Sequence, residues 1–384
     1  MGDLKPRRAF LTLPFKGRVG VGMGLVKPPT SVLVIVTRRI GDVLLATPLI
    51  RSLKRAWPDA SIDVLVFAGT QGVLAANPDV HDVLTVAERP RPREHWALAA
   101  KIFRRYDIAL SLVPSDRPTV YAWLAGRWRA GLVVDEIKHR WKAWLLNRAV
   151  QFDNRDTHTV LMHLALAAAM GVAPDYEVIA SSSDADGAEL AQHLPFALSE
   201  PFIVLHAYPK FNYKMWRHAA WTELARQLQG RGLRVVLTGG SDAAELAYVG
   251  AIARELPGVV NLAGKLTLSQ TACLLQYARG YVGPDTAVTH MAAALGIPVV
   301  SIYGPTDPVK WGPWPRGYAK SANPWQRLGT QRINNVTLMQ GTVACVPCFN
   351  EGCDRHIASY SDCLQQLPVA RVAAALAEAI KRAR

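Results

Sequence analysis

Asp285, Thr286 and His290 are the residues whose types and spacing point most clearly to chemistry. Gly283-Pro284-Asp285-Thr286 is a polar turn between an apolar strand ending at Val282 and a predicted helix over 287–295. Free N–H groups and the helix dipole attract anions at such a helix start. This favours a phosphate site formed by Asp285, Thr286 and Ala287, with His290 in the first turn. An ordinary N-cap explains the same residues, and both interpretations stay open.

A second polar turn, Gly304–Asp307, follows the apolar run 297–303. Parallel strands place their carboxyl ends on one edge of a sheet, and open α/β sheets bind ligands at that edge. The two turns together therefore predict a site for a ligand that carries phosphate.

Asp42 is a second candidate for chemistry. The buried strand 31–37 runs into Arg38-Arg39-Ile40-Gly41-Asp42, and a helix is predicted over 43–56. Asp42 fits a general base at the carboxyl end of the first strand. It also fits a carboxylate that caps the helix and has no chemical role. The sequence pattern alone leaves both interpretations open.

Four cysteines, Cys345, Cys348, Cys353 and Cys363, lie within nineteen residues, whereas Cys273 falls in an apolar helix and is expected in the core. Clustered thiols in a reducing compartment suggest a structural metal site before disulfides. The spacing is irregular and lacks the two paired motifs of a zinc ribbon. Reduced thiols and redox-sensitive pairs therefore remain alternatives.

Strands and helices alternate along the chain, so these residues must be positioned by α/β domains with parallel sheets. The length of 384 residues favours two such domains. We predict a poorly ordered basic extension over 1–30, a first domain over 31–180 and an acidic linker over 181–200. The second domain is predicted over 201–384, and it includes the cysteine-rich segment 345–363.

The net charge is +14, and residues 101–148 are rich in Arg and Trp. This mixture suits an anionic membrane surface or a phosphorylated acceptor, and because no nucleic-acid-binding motif accompanies it, we expect no nucleic acid partner. No apolar stretch is long enough for a transmembrane helix. The basic N-terminus lacks the apolar region and cleavage site of a signal peptide, which favours a cytoplasmic protein.

Motifs from both predicted domains resemble one known family when they are taken in order. They are Arg-Arg-Ile-Gly-Asp-Val-Leu-Leu-Ala-Thr-Pro-Leu-Ile (38–50), Tyr-Lys-Met-Trp (213–216), Leu-Ala-Gly-Lys (262–265), Pro-Asp-Thr-Ala-Val-Thr-His (284–290) and Tyr-Gly-Pro-Thr-Asp (303–307). The chain resembles the lipopolysaccharide heptosyltransferases of glycosyltransferase family 9 over about residues 31–320. The 311–314 segment and the Ala-Gly-Lys turn are most similar to the branch that adds a side-chain heptose to the inner core.

The resemblance implies a GT-B fold, in which two Rossmann-like doubly wound domains face a central cleft. It implies an ADP-heptose donor on the second domain and a phosphorylated lipopolysaccharide core acceptor on the first. The implied reaction inverts the anomeric centre without a cofactor or a catalytic metal. The implied location is the cytoplasmic face of the inner membrane, whose anionic surface the Arg/Trp-rich region would contact.

The resemblance also implies roles for individual residues. Asp42 matches the general base and Lys214 the phosphate-contacting lysine. The donor-binding positions are Asp285, Thr286, Ala287 and His290 around the phosphates, Glu245 (or Asp242) at the ribose, and Lys265 and Leu266 beside the adenine. Arg38, Arg39 and Gly41 match the acceptor loop. The cysteine-rich segment is expected to be a structural element, and the final helix, 369–382, is expected to cross back to the first domain.

Two other functions remain in view. One is a family 9 enzyme that uses another nucleotide-activated sugar on a different surface glycan. The other is a protein without enzymatic activity that binds a membrane surface or nucleic acid through its positive charge, a role that leaves both glycine-aspartate turns unexplained.

Overall fold

The computed structural model describes residues 27–134 and 140–383, which form two parallel sheets with helices on both faces. Residues 1–26 of the predicted basic extension lie outside the described residues. No helix among the described residues is long and apolar enough to cross a bilayer.

The first sheet has six parallel strands in the order β3-β2-β1-β4-β5-β6. The strands are rich in Val, Ile and Leu because both faces are covered. β1 is completely buried from Val32 to Ile35 and occupies the middle of the sheet. The strand bounds are Ser31–Ile35 (β1), Ser61–Phe67 (β2), Asp82–Val86 (β3), Tyr106–Ser111 (β4), Gly126–Val133 (β5) and Arg148–Gln151 (β6).

Seven helices accompany this sheet and the connection to the next. They are Ile40–Leu44 (α1), Thr47–Ala56 (α2), Pro92–Ile102 (α3), Asp116–Ala125 (α4), Arg140–Leu145 (α5), Thr159–Ala169 (α6) and Asp184–Ala191 (α7). The single helix predicted over 43–56 is wrong, because the chain forms α1 and α2 with a break at Leu45–Ala46. Pro48 has no N–H to continue the first helix and instead occupies the first turn of α2.

The second sheet has seven strands in the order β12-β13-β11-β10-β7-β8-β9, and only the β12–β13 pair is antiparallel. The strand bounds are Phe202–His206 (β7), Arg234–Thr238 (β8), Val260–Asn261 (β9), Gly280–Pro284 (β10), Val299–Tyr303 (β11), Gln331–Ile333 (β12) and Val336–Gln340 (β13). The helices are His218–Gln229 (α8), Ala243–Arg254 (α9), Leu268–Tyr277 (α10), Ala287–Leu295 (α11), Pro308–Trp311 (α12), Asp362–Gln365 (α13) and Val369–Arg382 (α14). The predicted fold class, two doubly wound α/β units, is confirmed.

The final helix, α14, does not cross back to the first sheet as predicted. It packs on β10, β11, β13 and α8 of its own unit. Its apolar face, which includes Val372 and Leu376, is buried there. Gly280 of β10 leaves room for this approach, because a Cβ at that position would lie 3.0 Å from Leu376 Cδ1. The prediction was wrong because an amphipathic pattern identifies a buried face without identifying the surface that covers it.

One hydrophobic cluster spans both units. It joins Val32 and Val34 of β1 to Val299 of β11 and Val336 of β13 through the helices between the sheets. Polar contacts extend the same boundary: His158 Nε2 donates to the Gly312 carbonyl at 2.7 Å, and Thr159 Oγ1 donates to the Lys310 carbonyl at 3.0 Å. The two units therefore share a core as well as a cleft.

Candidate active site

The predicted site residues lie where each sheet reverses its strand order. In the first sheet the chain passes from β1 to β2 on one side, and β4 lies on the other side, so Asp42 follows the strand at the reversal. In the second sheet β7 and β10 are neighbours, and the segments after them carry Lys214 and Asp285. Such reversals open the crevice in which α/β sheets bind ligands.

Lys214 and Asp285 form a buried ion pair between the segments that follow β7 and β10. Their side chains are 17% and 8% exposed. His290 Nε2 lies 3.8 Å from the other carboxylate oxygen, and the Tyr303 hydroxyl lies 3.3 Å from it. Burial alone would raise the pKa of Asp285, but Lys214 and His290 outweigh burial and hold this pKa well below its ordinary value. Asp285 is therefore a carboxylate at neutral pH.

Thr286 is the N-cap of α11, since its hydroxyl accepts the backbone N–H of Thr289 at 3.4 Å. The N–H groups of the first helical residues, including Ala287, have no partner within the helix and can bind an anion. His290 is 5% exposed, and its Nδ1 has no hydrogen-bond partner in the described part of the chain. The turn and the neighbouring Lys214 thus provide a cation, free N–H groups and the ring nitrogen Nδ1 of His290.

Asp42 lies in α1, directly opposite this turn. A Cβ placed on Gly41 would be 3.5 Å from His290 Cδ2 and 3.9 Å from Ala287 Cα, so α1 touches the start of α11 across the cleft. Burial raises the pKa of Asp42, and Arg38, Arg39 and His290 offset part of that effect. A carboxylate with a raised pKa is a stronger base than an exposed one.

The predicted acceptor loop has two exposed arginines, Arg38 and Arg39. The Arg39 guanidinium stacks on the Phe211 ring at 4.6 Å, a contact between the two units that the sequence did not suggest. Gly41 has little space for a side chain beyond a methyl group, because His290 and Ala287 approach it from the other unit.

The positions predicted for the nucleoside surround the Gly239–Gly240 turn after β8. Asp242 is the N-cap of α9 and accepts the Ala244 N–H at 3.0 Å. Glu245 points back at the turn, since a Cβ on Gly240 would lie 2.9 Å from Glu245 Oε2. The capping role of Asp242 leaves Glu245 as the carboxylate that faces the turn.

Lys265 and Leu266 follow the β9 edge strand, close to the same turn. Lys265 is exposed, whereas Leu266 is half-buried against the core. The Gly264 N–H donates to the Gly239 carbonyl at 2.9 Å, which fixes their segment beside the glycine turn. These two residues therefore lie near Glu245 and apart from Asp42.

Two buried residues of the cleft were not singled out from the sequence. The Tyr303 hydroxyl donates to the Trp311 carbonyl at 2.7 Å and faces Asp285. Lys310 of α12 is 7% exposed and is close enough to Asp42 for that carboxylate to raise its pKa. Their position directly beside the Gly304–Asp307 turn was the available signal.

The four clustered cysteines are free thiols, and Cys363 is buried while Cys345 and Cys353 are exposed. Burial, with a smaller effect of the other three thiols, raises the pKa of Cys363 to about 12. Residues 27–134 and 140–383 include no group of three or more His, Cys, Asp or Glu side chains placed to hold a metal ion. The arrangement of the four cysteines therefore does not support a structural metal site in this segment.

Comparison with known proteins agrees with the geometry. A family model described as glycosyltransferase family 9 (heptosyltransferase) matches residues 95–338. The chain is 30% identical to lipopolysaccharide heptosyltransferase 1 of Pseudomonas aeruginosa, over 84% of this chain and 87% of the relative. It is 28% identical to lipopolysaccharide heptosyltransferase 3 of Escherichia coli, over 71% of this chain and 83% of the relative.

A solved structure, ADP-heptose lipopolysaccharide heptosyltransferase II of E. coli, superposes with a TM-score of 0.72 at 23% identity. The superposition covers 92% of this chain and 99% of that structure, which confirms the GT-B arrangement. By its family match and its relatives, the chain belongs to glycosyltransferase family 9, the heptosyltransferases.

Proposed function

We propose that this protein transfers a heptose from ADP-heptose to the inner core of lipopolysaccharide, with inversion of the anomeric centre and Asp42 as general base. The observation that carries the proposal is the contact between α1 and α11. It brings Asp42 of the first unit against the anion-attracting turn of the second, with Gly41 packed on Ala287 and His290. A sugar bound by its diphosphate at that turn would have its anomeric carbon next to the base.

A single displacement accounts for the arrangement. The acceptor hydroxyl attacks the anomeric carbon as Asp42 takes its proton, and the bond from that carbon to the phosphate oxygen breaks. The departing ADP keeps the electron pair of that bond. Lys214 and the free N–H groups at Thr286 and Ala287 stabilise the charge that grows on the diphosphate. This scheme uses side chains and backbone amides of the chain and requires no divalent cation.

Glu245 is the proposed ribose contact, and Lys265 and Leu266 border the proposed adenine position. The Gly239–Gly240 turn carries no Cβ, so a ribose can approach the Glu245 carboxylate closely. The names of the relatives support the proposed donor and acceptor: the solved structure is an ADP-heptose enzyme, and the two sequence relatives named above are lipopolysaccharide heptosyltransferases. Arg38, Arg39 and Gly41 are the proposed acceptor contacts.

An aromatic face supports contact with an anionic membrane. Trp96 and Phe103 of the α3 region, Trp123 of α4 and Trp144 of α5 are 77%, 61%, 41% and 86% exposed. α3 packs on α4, and α4 packs on α5, so the helices that carry Trp96, Trp123 and Trp144 are neighbours. Exposed Arg and Lys side chains, such as Lys101 and Arg104, occur in the same part of the chain. Aromatic rings with interleaved cations suit the interface of a bilayer that contains acidic lipids. We propose that the surface formed by α3, α4 and α5 faces the cytoplasmic surface of the inner membrane.

The donor is tested by calorimetric titration of the protein with ADP-heptose, ADP, UDP-glucose and GDP-mannose in EDTA. Selective binding of the two ADP ligands supports the assignment. Preference for a UDP or GDP sugar would contradict it and favour the alternative family 9 activity on another glycan. Binding of every polyanion, lost at high salt, would instead favour a charge-driven binding protein.

The base is tested with Asp42→Asn, which keeps size and hydrogen bonding but removes basicity. We expect ADP binding to be unchanged and turnover to fall by about 10²–10⁴-fold. Asp59→Asn is the matched control, because Asp59 is an exposed aspartate in the turn after α2. Turnover of Asp42→Asn at the rate of this control would remove Asp42 from the mechanism.

A further inference from the structure

We propose that Lys310 of the second unit and Arg38 of the first form an anion-binding subsite beside Asp42 that holds a phosphate or carboxylate group of the acceptor. The inference rests on the proposed function, since it assumes that Asp42 faces the acceptor. It adds a residue of the donor-binding unit to acceptor recognition.

Lys310 is a buried cation without an oxygen partner. Its ammonium makes no ion pair within 4.0 Å in the described parts of the chain, and its one side-chain hydrogen bond there is to Met162 Sδ at 3.4 Å. The buried Lys142 differs, because it contacts Asp116 Oδ1 at 2.8 Å and the Pro114 carbonyl at 3.1 Å. A thioether is a weak acceptor, and the other two ammonium hydrogens of Lys310 have no partner within residues 27–134 and 140–383.

The position of Lys310 is fixed by the contact between the units. Its carbonyl accepts the Thr159 hydroxyl, and the Gly312 carbonyl two residues later accepts His158 Nε2–H. The Lys310 Nζ lies 5.1 Å from the Phe152 ring centroid and 5.9 Å from that of Trp311. Aromatic faces and a sulfur hold the ammonium without neutralising it.

Four charged groups are near enough to Lys310 to change the pKa of its ammonium: Asp42, Asp153 and Asp307 raise this pKa, and Arg38 lowers it. Two of these carboxylates already have other partners. Asp153 accepts the backbone N–H groups of Arg155 and Asp156, and Asp307 pairs with Arg327 at 3.2 Å. Asp42 is the general base of the proposed mechanism, so it is not treated as a partner of Lys310. Lys310 and Arg38 are thus two cations whose charges interact, and neither makes an ion pair with a carboxylate within 4.0 Å in the parts of the chain that the structure describes.

An anion of the substrate would complete this arrangement. Leaving a buried ammonium unpaired is costly, and burial accordingly lowers the pKa of Lys310 to about 8, so the side chain is still mostly protonated at pH 7. An acceptor phosphate or carboxylate provides the missing acceptors and the opposite charge. The diphosphate of the donor is a different anion in the proposed mechanism, because Lys214 and the α11 turn would hold it.

The subsite requires both units, because Arg38 follows β1 and Lys310 follows β11. Its ligand would therefore bind well only when the units meet as they do here. This requirement couples acceptor recognition to the placement of Asp42 against the donor turn.

The test compares the wild-type protein with Lys310→Met and Lys310→Arg. Met retains the length of the side chain in an apolar surrounding, so we expect a melting temperature at or above that of the wild type. Binding is measured in the presence of ADP and needs no turnover. The probes are lipopolysaccharide from a strain whose inner core lacks the side-chain heptose, the same lipid after hydrofluoric acid removal of phosphate, and the same lipid with methylated carboxyl groups.

We expect Lys310→Met to bind the unmodified lipid at least tenfold more weakly and to bind ADP normally. Lys310→Arg should retain most of the affinity. One of the two modified lipids should bind wild type and Lys310→Met equally, and that lipid identifies the anion as phosphate or carboxylate.

Equal affinity of wild type and Lys310→Met for the unmodified lipid would overturn the inference. An equal loss of affinity of Lys310→Met for all three lipids would also overturn it. So would unchanged lipid binding by Lys310→Met together with a shifted pH profile of kcat/KM, because Lys310 would then act through Asp42. If the wild type transfers no heptose from ADP-heptose yet binds the lipid in a Lys310-dependent way, the proposed donor is wrong and the subsite stands.

Discussion

Removing Lys214 alone should destabilise the protein more than removing both partners of the Lys214–Asp285 pair. Lys214→Met leaves the Asp285 carboxylate in a site where it is 8% exposed. Breaking a buried ion pair in this way costs about 3–5 kcal/mol. The Tyr303 hydroxyl at 3.3 Å and His290 at 3.8 Å still face the carboxylate, so we expect about 3 kcal/mol, at the lower end.

The reverse change is milder. Asp285→Asn keeps an oxygen for Lys214, whose 17% exposure lets its ammonium reach water, and we expect a loss of about 1 kcal/mol. The double variant should resemble Asp285→Asn. The resulting coupling energy has a magnitude of about 3 kcal/mol, at the upper end for residues in contact.

Urea unfolding at pH 7, followed by the fluorescence of the buried Trp216 and Trp221, measures all four free energies of unfolding. Because the pKa of Asp285 lies below its unfolded value, its stabilisation is complete above about pH 4 and is lost as the pH falls through the lower folded value. Single-variant effects that add to within 0.5 kcal/mol would refute the reasoning, since independent sites behave in that way.

Three further predictions concern other parts of the cleft. Gly312→Ala places a Cβ 2.5 Å from Trp325 Nε1 and should destabilise the protein by about 1–3 kcal/mol. The control Gly250→Ala in α9 should not destabilise it, and equal urea midpoints of the two variants would contradict this prediction. The acid limb of the pH profile of kcat/KM should lie above the ordinary carboxylate pKa, because burial raises the pKa of Asp42. Arg38→Gln should move this limb to higher pH, because Arg38 lowers the pKa of Asp42; an unchanged limb would exclude an interaction between the two residues. Glu245→Gln should lower the affinity for ADP about tenfold and leave the affinity for pyrophosphate unchanged, with Asp242→Asn as the control. Loss of affinity for both ligands, measured by calorimetry, would argue against a ribose contact.

Much of the fold followed from local patterns in the sequence. The helices Ala287–Leu295 and Val369–Arg382 have the predicted bounds. These elements have continuous apolar runs or clear start and stop residues, so local information is sufficient. The break between α1 and α2 was missed although Pro48 marks it, because the apolar period continues across the break.

The candidate site was only partly predictable. Asp42 and Asp285 could be proposed because each lies near the start of the helix that follows a buried strand. Their meeting across the cleft, and the stacking of Arg39 on Phe211, depend on how two separately recognisable units pack. Lys310 was missed because a lysine in a short polar segment is expected in water, and its burial is decided by Phe152 and Met162 of the other unit.

The hydrophobic cluster that joins the two sheets has a consequence for synthesis of the chain. Residues 31–180 leave the ribosome first, but the β11 and β13 residues that complete their core are made later. At 5–20 residues per second, residues 181–338 require about 10–30 s. During that time the apolar surface around β1 and α6 is exposed, and chaperones can bind it. A fragment that ends near residue 180 should therefore aggregate or remain chaperone-bound, and adding residues 181–340 in the same chain should release it.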